Sequence, residues 1–315
     1  MSESTNTKGF FRRRQRTSSV EKAVEKLGEG GIADDTSAVT LDRAAASAMG
    51  TRNVAVNSTA SSAAESKPVR HSRPVTIDHE ALRVAGMVSA HSERSLIAEE
   101  FRMIKRPLIL KAFDDNAANS KRPGNLVMVS SARPGEGKTF CAVNLAMSIA
   151  LERDLTVMLI DGDVQKPSIP SVLGIEADRG LIDLIADDSL DLSEVLLKTD
   201  IENLTVLPAG RPHQLATEIL ASEKMEKFVE EIAKRYPDRM IIFDSPPVLM
   251  SSIPGVLALH VAQIVFIVRA EKTTQTSIDA ALGLISECQN IYLLLNKART
   301  MVGSDRFDGY HSYYR

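Results

Sequence analysis

The chain has 315 residues, 43% hydrophobic and 25% charged, with a formal net charge of -3. That balance belongs to an ordinary globular protein of one large or two modest domains, and it excludes nucleic acid as a general partner held by bulk charge. Two cysteines, Cys141 and Cys288, lie far apart without metal-ligand spacing and point to buried thiols in a reducing compartment.

Residues 1–75 are rich in Ser, Thr and Ala, as in "VNSTASSAAESKP". A stretch with so few large apolar residues cannot offset its ordering entropy and is expected to be a largely disordered arm. Within it Val20, Ala23, Val24 and Leu27 form one helical stripe followed by glycines, a short helix that orders on a partner. Two readings fit the preceding "FFRRRQR": contact with an anionic lipid surface, or a solvated basic run. No secretory signal is expected, and no run reaches the roughly 18 apolar residues that span a bilayer. The expected location is the cytoplasm, with any membrane association made through a partner or a surface contact.

From residue 92, Leu96, Ile97, Phe101, Ile104 and Leu108 follow helical spacing, with a kink or break expected at Pro107. Six buried strands then alternate with helices: "NLVMVSS", "LTVMLID", "NLTVLPAG", "RMIIFDSPP", "AQIVFIVRA" and "NIYLLLN". Continuous apolar strands need cover on both faces, and alternation with helices predicts an α/β fold with a doubly wound, mostly parallel sheet. Residues 298–315 read as a flexible polar tail that holds Tyr310, Tyr313 and Tyr314, three of the chain's five tyrosines. Such a cluster serves either as a docking peptide or as a set of hydroxyl substrates, and a phosphate donor elsewhere decides between them.

The first strand runs into Ala132, Arg133, Pro134, Gly135, Glu136, Gly137, Lys138 and Thr139, with Phe140 opening the next helix. This fits the phosphate-binding loop pattern except that Ala132 stands where Gly begins it. Gly135 and Gly137 let the backbone N–H groups converge on phosphate, and the helix N-terminus adds its dipole. Lys138 is expected on the outer phosphates and Thr139 on Mg²⁺. Strand, loop, Lys-Thr and helix together indicate a nucleoside triphosphate site rather than a structural turn. Asp161 and Asp163 end one buried strand and Asp244 ends another. Ligands of parallel sheets bind at the carboxyl ends of the strands, so these acids are expected to face the loop rather than merely cap helices.

"ARPGEGKT", "LIDGDVQKPS" and "IIFDSPPVL" together resemble the Walker A, A′ and B motifs of the bacterial tyrosine kinases, P-loop enzymes related to the MinD/ParA ATPases. The resemblance covers about residues 85–315 and implies a kinase domain over 85–297. "EEFRMIK" is similar to the family's subunit-contact helix, implying contacts by Glu99, Arg102 and Lys105; "PAGRPHQLATEILASEKM" and the terminal "YHSYYR" also match family segments. The arm and "EEFRMIKRPLI" resemble the branch found beside exopolysaccharide and protein-sorting loci. The sequence departs from the family at Gln165, usually Arg, where Lys166 stands next, and at Lys105, also usually Arg, where Arg106 stands next. Arg133 occupies the place of the signature lysine of MinD/ParA proteins.

The resemblance implies that ATP and Mg²⁺ bind, with Lys138, Asp161 and Asp163 catalytic, Asp161 as base, and Thr139, Asp163 and Asp244 serving the metal. An exchange of roles between Asp161 and Asp163 stays open. It also implies phosphorylation of Tyr310, Tyr313 and Tyr314 in trans within a ring of identical subunits. A separate membrane-embedded activator or chain-length regulator of polysaccharide export completes the expected partners. Two rivals share the phosphate loop: a MinD/ParA-type ATPase positioning a membrane complex, and a non-catalytic nucleotide-dependent scaffold.

Overall fold

The computed structural model describes residues 72–88, 95–114, 122–236 and 238–298. The stripe at 20–27 and the tyrosines Tyr310, Tyr313 and Tyr314 lie outside these residues. In chain order the elements are β1 (Arg73–Val75), α1 (His79–Val84), α2 (Leu96–Ala112), β2 (Leu126–Ser131), α3 (Lys138–Ala150) and β3 (Thr156–Asp161). Then come α4 (Ile169–Leu173), α5 (Leu181–Ala186), α6 (Leu192–Val195), β4 (Leu197–Thr199), β5 (Leu204–Leu207), α7 (Ala216–Leu220) and α8 (Glu223–Arg235). The last are β6 (Arg239–Asp244), α9 (Ile253–Ala258), β7 (Gln263–Arg269), α10 (Gln275–Leu284) and β8 (Asn290–Asn296).

The strands form one sheet in the order β1-β4-β5-β3-β6-β2-β7-β8. Every neighbouring pair is parallel except β4 and β5. The six expected strands are the contiguous parallel block from β5 to β8. Alternate residues of the central strands feed two cores: Met128, Ile160, Phe243 and Phe266 on one face, Val129, Leu159, Ile242 and Ile267 on the other. The first face is covered by α5, α7, α8, α9 and α10, the second by α1 to α4. This double cover is why the central strands read as unbroken apolar runs, whereas β8, expected to be buried, lies at the sheet edge with Leu293 and Leu295 58% and 63% exposed.

Sequence periodicity missed β1 and β4. Each has three residues, too few to show a period, and β1 carries a proline, which an edge strand tolerates. β1 also places the last residues of the expected arm inside the sheet. The expected break at Pro107 is absent: α2 runs unbroken from its Ser95 cap to Ala112. Pro107 is exposed and removes only the bond to the carbonyl of Met103, on the outer side of the helix, while Ala98, Phe101, Lys105 and Leu108 hold the inner side in the core.

Candidate active site

β2, β3 and β6 lie side by side and deliver their carboxyl ends to one rim. Asp161 is opposite Asp244 in the β3–β6 register, and Val129 is opposite Asp244 in the β2–β6 register. The amides of Val248 and Leu249 donate to the carbonyls of Ser131 and Ala132, fastening the exit from β6 to the start of the loop. Ala132 is buried in the core, so its methyl packs inward at the place where the loop pattern has Gly.

Between β2 and α3 the chain curls at two glycines with left-handed backbones, Gly135 at φ 78° and Gly137 at φ 100°. A Cβ at Gly137 would run into the side-chain amide of Asn296 as well as straining the backbone. Buried Glu136 braces the curl from within. One carboxylate oxygen accepts from the Arg133 amide at 2.9 Å, the other from the Thr273 hydroxyl at 2.5 Å. From the end of β8, Asn296 Nδ2 donates to the Glu136 carbonyl (2.9 Å) and Lys297 Nζ to the Gly135 carbonyl (3.0 Å). The Arg133 side chain reaches Ser277 Oγ at 3.3 Å.

The functional side chains converge on Lys138. Its Nζ lies 3.0 Å from Asp163 Oδ2 and 3.8 Å from Asp244 Oδ1. Thr139 Oγ1 donates to Asp244 Oδ2 at 2.7 Å and lies 3.3 Å from Ser168 Oγ. Asp161 is turned into the chain instead. Its Oδ1 accepts from the Asp163 amide (3.2 Å), and its Oδ2 from the amides of Ser168 (2.9 Å) and Ile169 (3.0 Å). Burial raises its carboxyl above the usual range against those amides. Burial pushes Asp244 up to about 7, with Lys138 and Thr139 opposing and the neighbouring acids reinforcing.

Asp163 and Asp244 therefore share one lysine beside the buried Asp161, and Asp244 Oδ1 is buried with no hydrogen-bond donor. A divalent ion is the charge such a cluster lacks. Among the described residues no group of three or more His, Cys, Asp or Glu is disposed to hold a bare metal ion. Mg²⁺ does not require one: it takes one or two carboxylates and completes its shell with water and phosphate oxygens. Thr139 and Asp244 fit that mode.

Elsewhere, Glu99 and Arg102 pair with each other along α2 and remain partly exposed. Lys105 corrects the expected contact set. It is 7% exposed, and its ammonium is held inside the subunit by the Ser148 carbonyl (2.5 Å) and Glu152 (2.6 Å), because α2 lays that side of its helix on α3. Gln165 and Lys166 are both exposed beside the site. Asp183 on α5 ties down the segment after β5, accepting from the amides of Gly180 and Arg211 (both 3.0 Å) and from Arg211 Nε (2.6 Å). Sequence reading missed Asn296, Lys297 and Thr273. A signal existed for the first, since Asn296 stands at the carboxyl end of a parallel strand as Asp161 and Asp244 do.

The AAA domain family matches residues 124–300. The chain is 27% identical over 204 residues to the tyrosine-protein kinase YwqD of Bacillus subtilis, covering 65% of this chain and 81% of that one. The crystal structure of the VpsO kinase domain is 26% identical with a TM-score of 0.50, covering 65% of this chain and all of the other. The chimerical protein CapA2B2 has a TM-score of 0.57 at 22% identity, over 74% of this chain and 95% of that one, a likeness of fold.

Proposed function

As this chain belongs to the AAA-domain P-loop family and, within it, to the bacterial tyrosine kinases, we propose that it transfers the ATP γ-phosphoryl group to Tyr310, Tyr313 and Tyr314 of a neighbouring subunit. The observation that carries this reading is the meeting of Lys138, Thr139, Asp163 and Asp244 around one buried, undersupplied carboxylate oxygen at the mouth of a left-handed glycine loop.

The amides of residues 132–140 cradle the phosphates at the α3 N-terminus. Lys138 exchanges Asp163 and Asp244 for the outer phosphate oxygens. Thr139, Asp163 and Asp244 would hold Mg²⁺ directly or through water, and the ion would supply neutralisation of the phosphate charge. A tyrosine hydroxyl, with a reference pKa near ~10, needs a base to attack at neutral pH. Asp161 takes that proton as the new Oη–P bond forms and the bond to the bridging oxygen breaks, releasing ADP. Because Asp161 is closed to solvent, the segment 162–168 must open for the acceptor to reach it.

Subunits assemble through the Glu99/Arg102 face of α2, and each phosphorylated tyrosine adds up to about two negative charges that favour release. No helix among the described residues is long and apolar enough to cross a membrane. We assign recruitment and activation to a separate membrane-embedded partner, with exopolysaccharide synthesis or export as the regulated process.

The test is incubation of purified protein with γ-labelled ATP and Mg²⁺, followed by peptide mapping. Label on the three terminal tyrosines, absent in Lys138→Met, is the expected result. Free phosphate with an unlabelled tail would overturn the assignment in favour of an ATPase.

A further inference from the structure

The inner side of α2 is fixed by Phe101, Lys105 and Leu108, so its outer side is presented rigidly. Along that side stand Leu96, Met103 and Leu110, 48%, 60% and 67% exposed. They recur every seven residues, which keeps them on one stripe. Glu99 and Arg106 lie along the same edge of the stripe, one four residues before Met103 and the other three after it. Arg106 makes no ion pair among the described residues, and Glu99 pairs only with its neighbour Arg102.

This pattern is self-complementary about Met103. Turn the helix end over end around a twofold axis beside that residue, and Leu96 meets Leu110 of the copy while Met103 meets itself. The twofold preserves the edge on which a side chain lies, so Glu99 meets the partner's Arg106 at nearly the same height, and the reciprocal pair forms at the other end. A heterologous contact has no need of such a palindrome, whereas an isologous one requires it. We propose that the outer face of α2 is a docking surface for a second copy of this chain, with the two α2 helices antiparallel. This pairing goes beyond the ring of the proposed function and does not rest on the phosphotransfer reading. It uses the same helix, so a subunit paired in this way is withheld from a ring built through Glu99 and Arg102.

The full chain carrying Met103→Cys tests the contact. Cys141 and Cys288 are 3% and 2% exposed and do not compete. Under copper phenanthroline, a disulfide-linked dimer is expected at a yield at least ten times that of Leu215→Cys, an exposed control on a different element. Arg106→Glu should lower that yield about tenfold and shift the unlinked protein toward monomer in sedimentation. The double swap Glu99→Arg with Arg106→Glu should restore both. Yield no greater than the control, with a monomeric unlinked protein, would overturn the proposal. So would indifference to the charge swaps. Flotation with phosphatidylglycerol vesicles that Met103→Asp abolishes, without any dimer, would overturn it in favour of a membrane-facing stripe.

Discussion

Asp161 and Asp163 stand two residues apart, yet the chain gives them different neighbours. Asp161 is oriented by three backbone amides, whereas Asp163 faces the ammonium of Lys138. None of the Asp161 contacts involves the lysine that the nucleotide displaces, whereas a group serving the ion must exchange lysine for metal. Asp161→Asn is therefore expected to lower kcat by roughly 10² to 10⁴ while leaving the affinity for Mg·ATP within a few-fold of wild type. Asp163→Asn should instead raise the Mg²⁺ concentration needed for half-maximal rate. Single-turnover transfer combined with calorimetric titration separates the two outcomes, and an equal loss of nucleotide affinity in both variants would defeat this division of labour. That Asp163 and Asp244 lie beside Lys138 of the loop was readable from their place at strand ends. That Asp161 turns into the chain was not, because it depends on amides of Ser168 and Ile169 that only the fold brings to Asp161.

At the scale of the element, legibility followed length and burial. The long central strands announced themselves because both faces needed apolar cover, while β1 and β4 were too short to carry a period. Pro107 was expected to interrupt α2, and packing of the inner side onto α3 overrode that preference. The segment after β5 has little periodicity, and its anchor is a single carboxylate. Burial alone would raise the Asp183 carboxyl, but the amides of Arg211 and Gly180 and the Arg211 guanidinium outweigh it and hold it below the usual range. The unfolded chain then binds this proton more tightly than the folded one. The stabilisation is complete above the ordinary value near ~3.9 and is lost as pH falls through the lower folded value. Asp183→Ala also strands the amides of Gly180, before α5, and Arg211, after β5. We expect it to cost about 1–3 kcal/mol at pH 7 in urea unfolding, narrowing as pH falls toward 3. A penalty independent of pH would mean that the anchor acts by packing rather than by charge.

For the molecule as a whole, the question is whether the proposed phosphorylation of a tail that leaves beside one site is carried out by that site or by a neighbour's. The described chain ends at Ala298, directly after Lys297, whose ammonium caps the Gly135 carbonyl of the phosphate loop. From Asn296 the fourteen residues to Tyr310 reach on the order of 45 Å when extended, enough to enter a neighbour's site. Reach alone also permits return to the home site, so the order of the reaction has to decide. If transfer is between subunits, the initial rate of tyrosine labelling per subunit rises with protein concentration until assembly saturates. A chain truncated after Ala298 keeps every described residue of the loop and its acids but lacks the acceptors, while Lys138→Met keeps the acceptors and lacks the donor site. Mixed together with Mg·ATP, they should label the Lys138→Met chain at Tyr310, Tyr313 and Tyr314, although neither is labelled alone. Labelling whose specific rate is flat across a hundredfold dilution, with no transfer in the mixture, would instead place donor and acceptor on one chain and remove the reason for a ring.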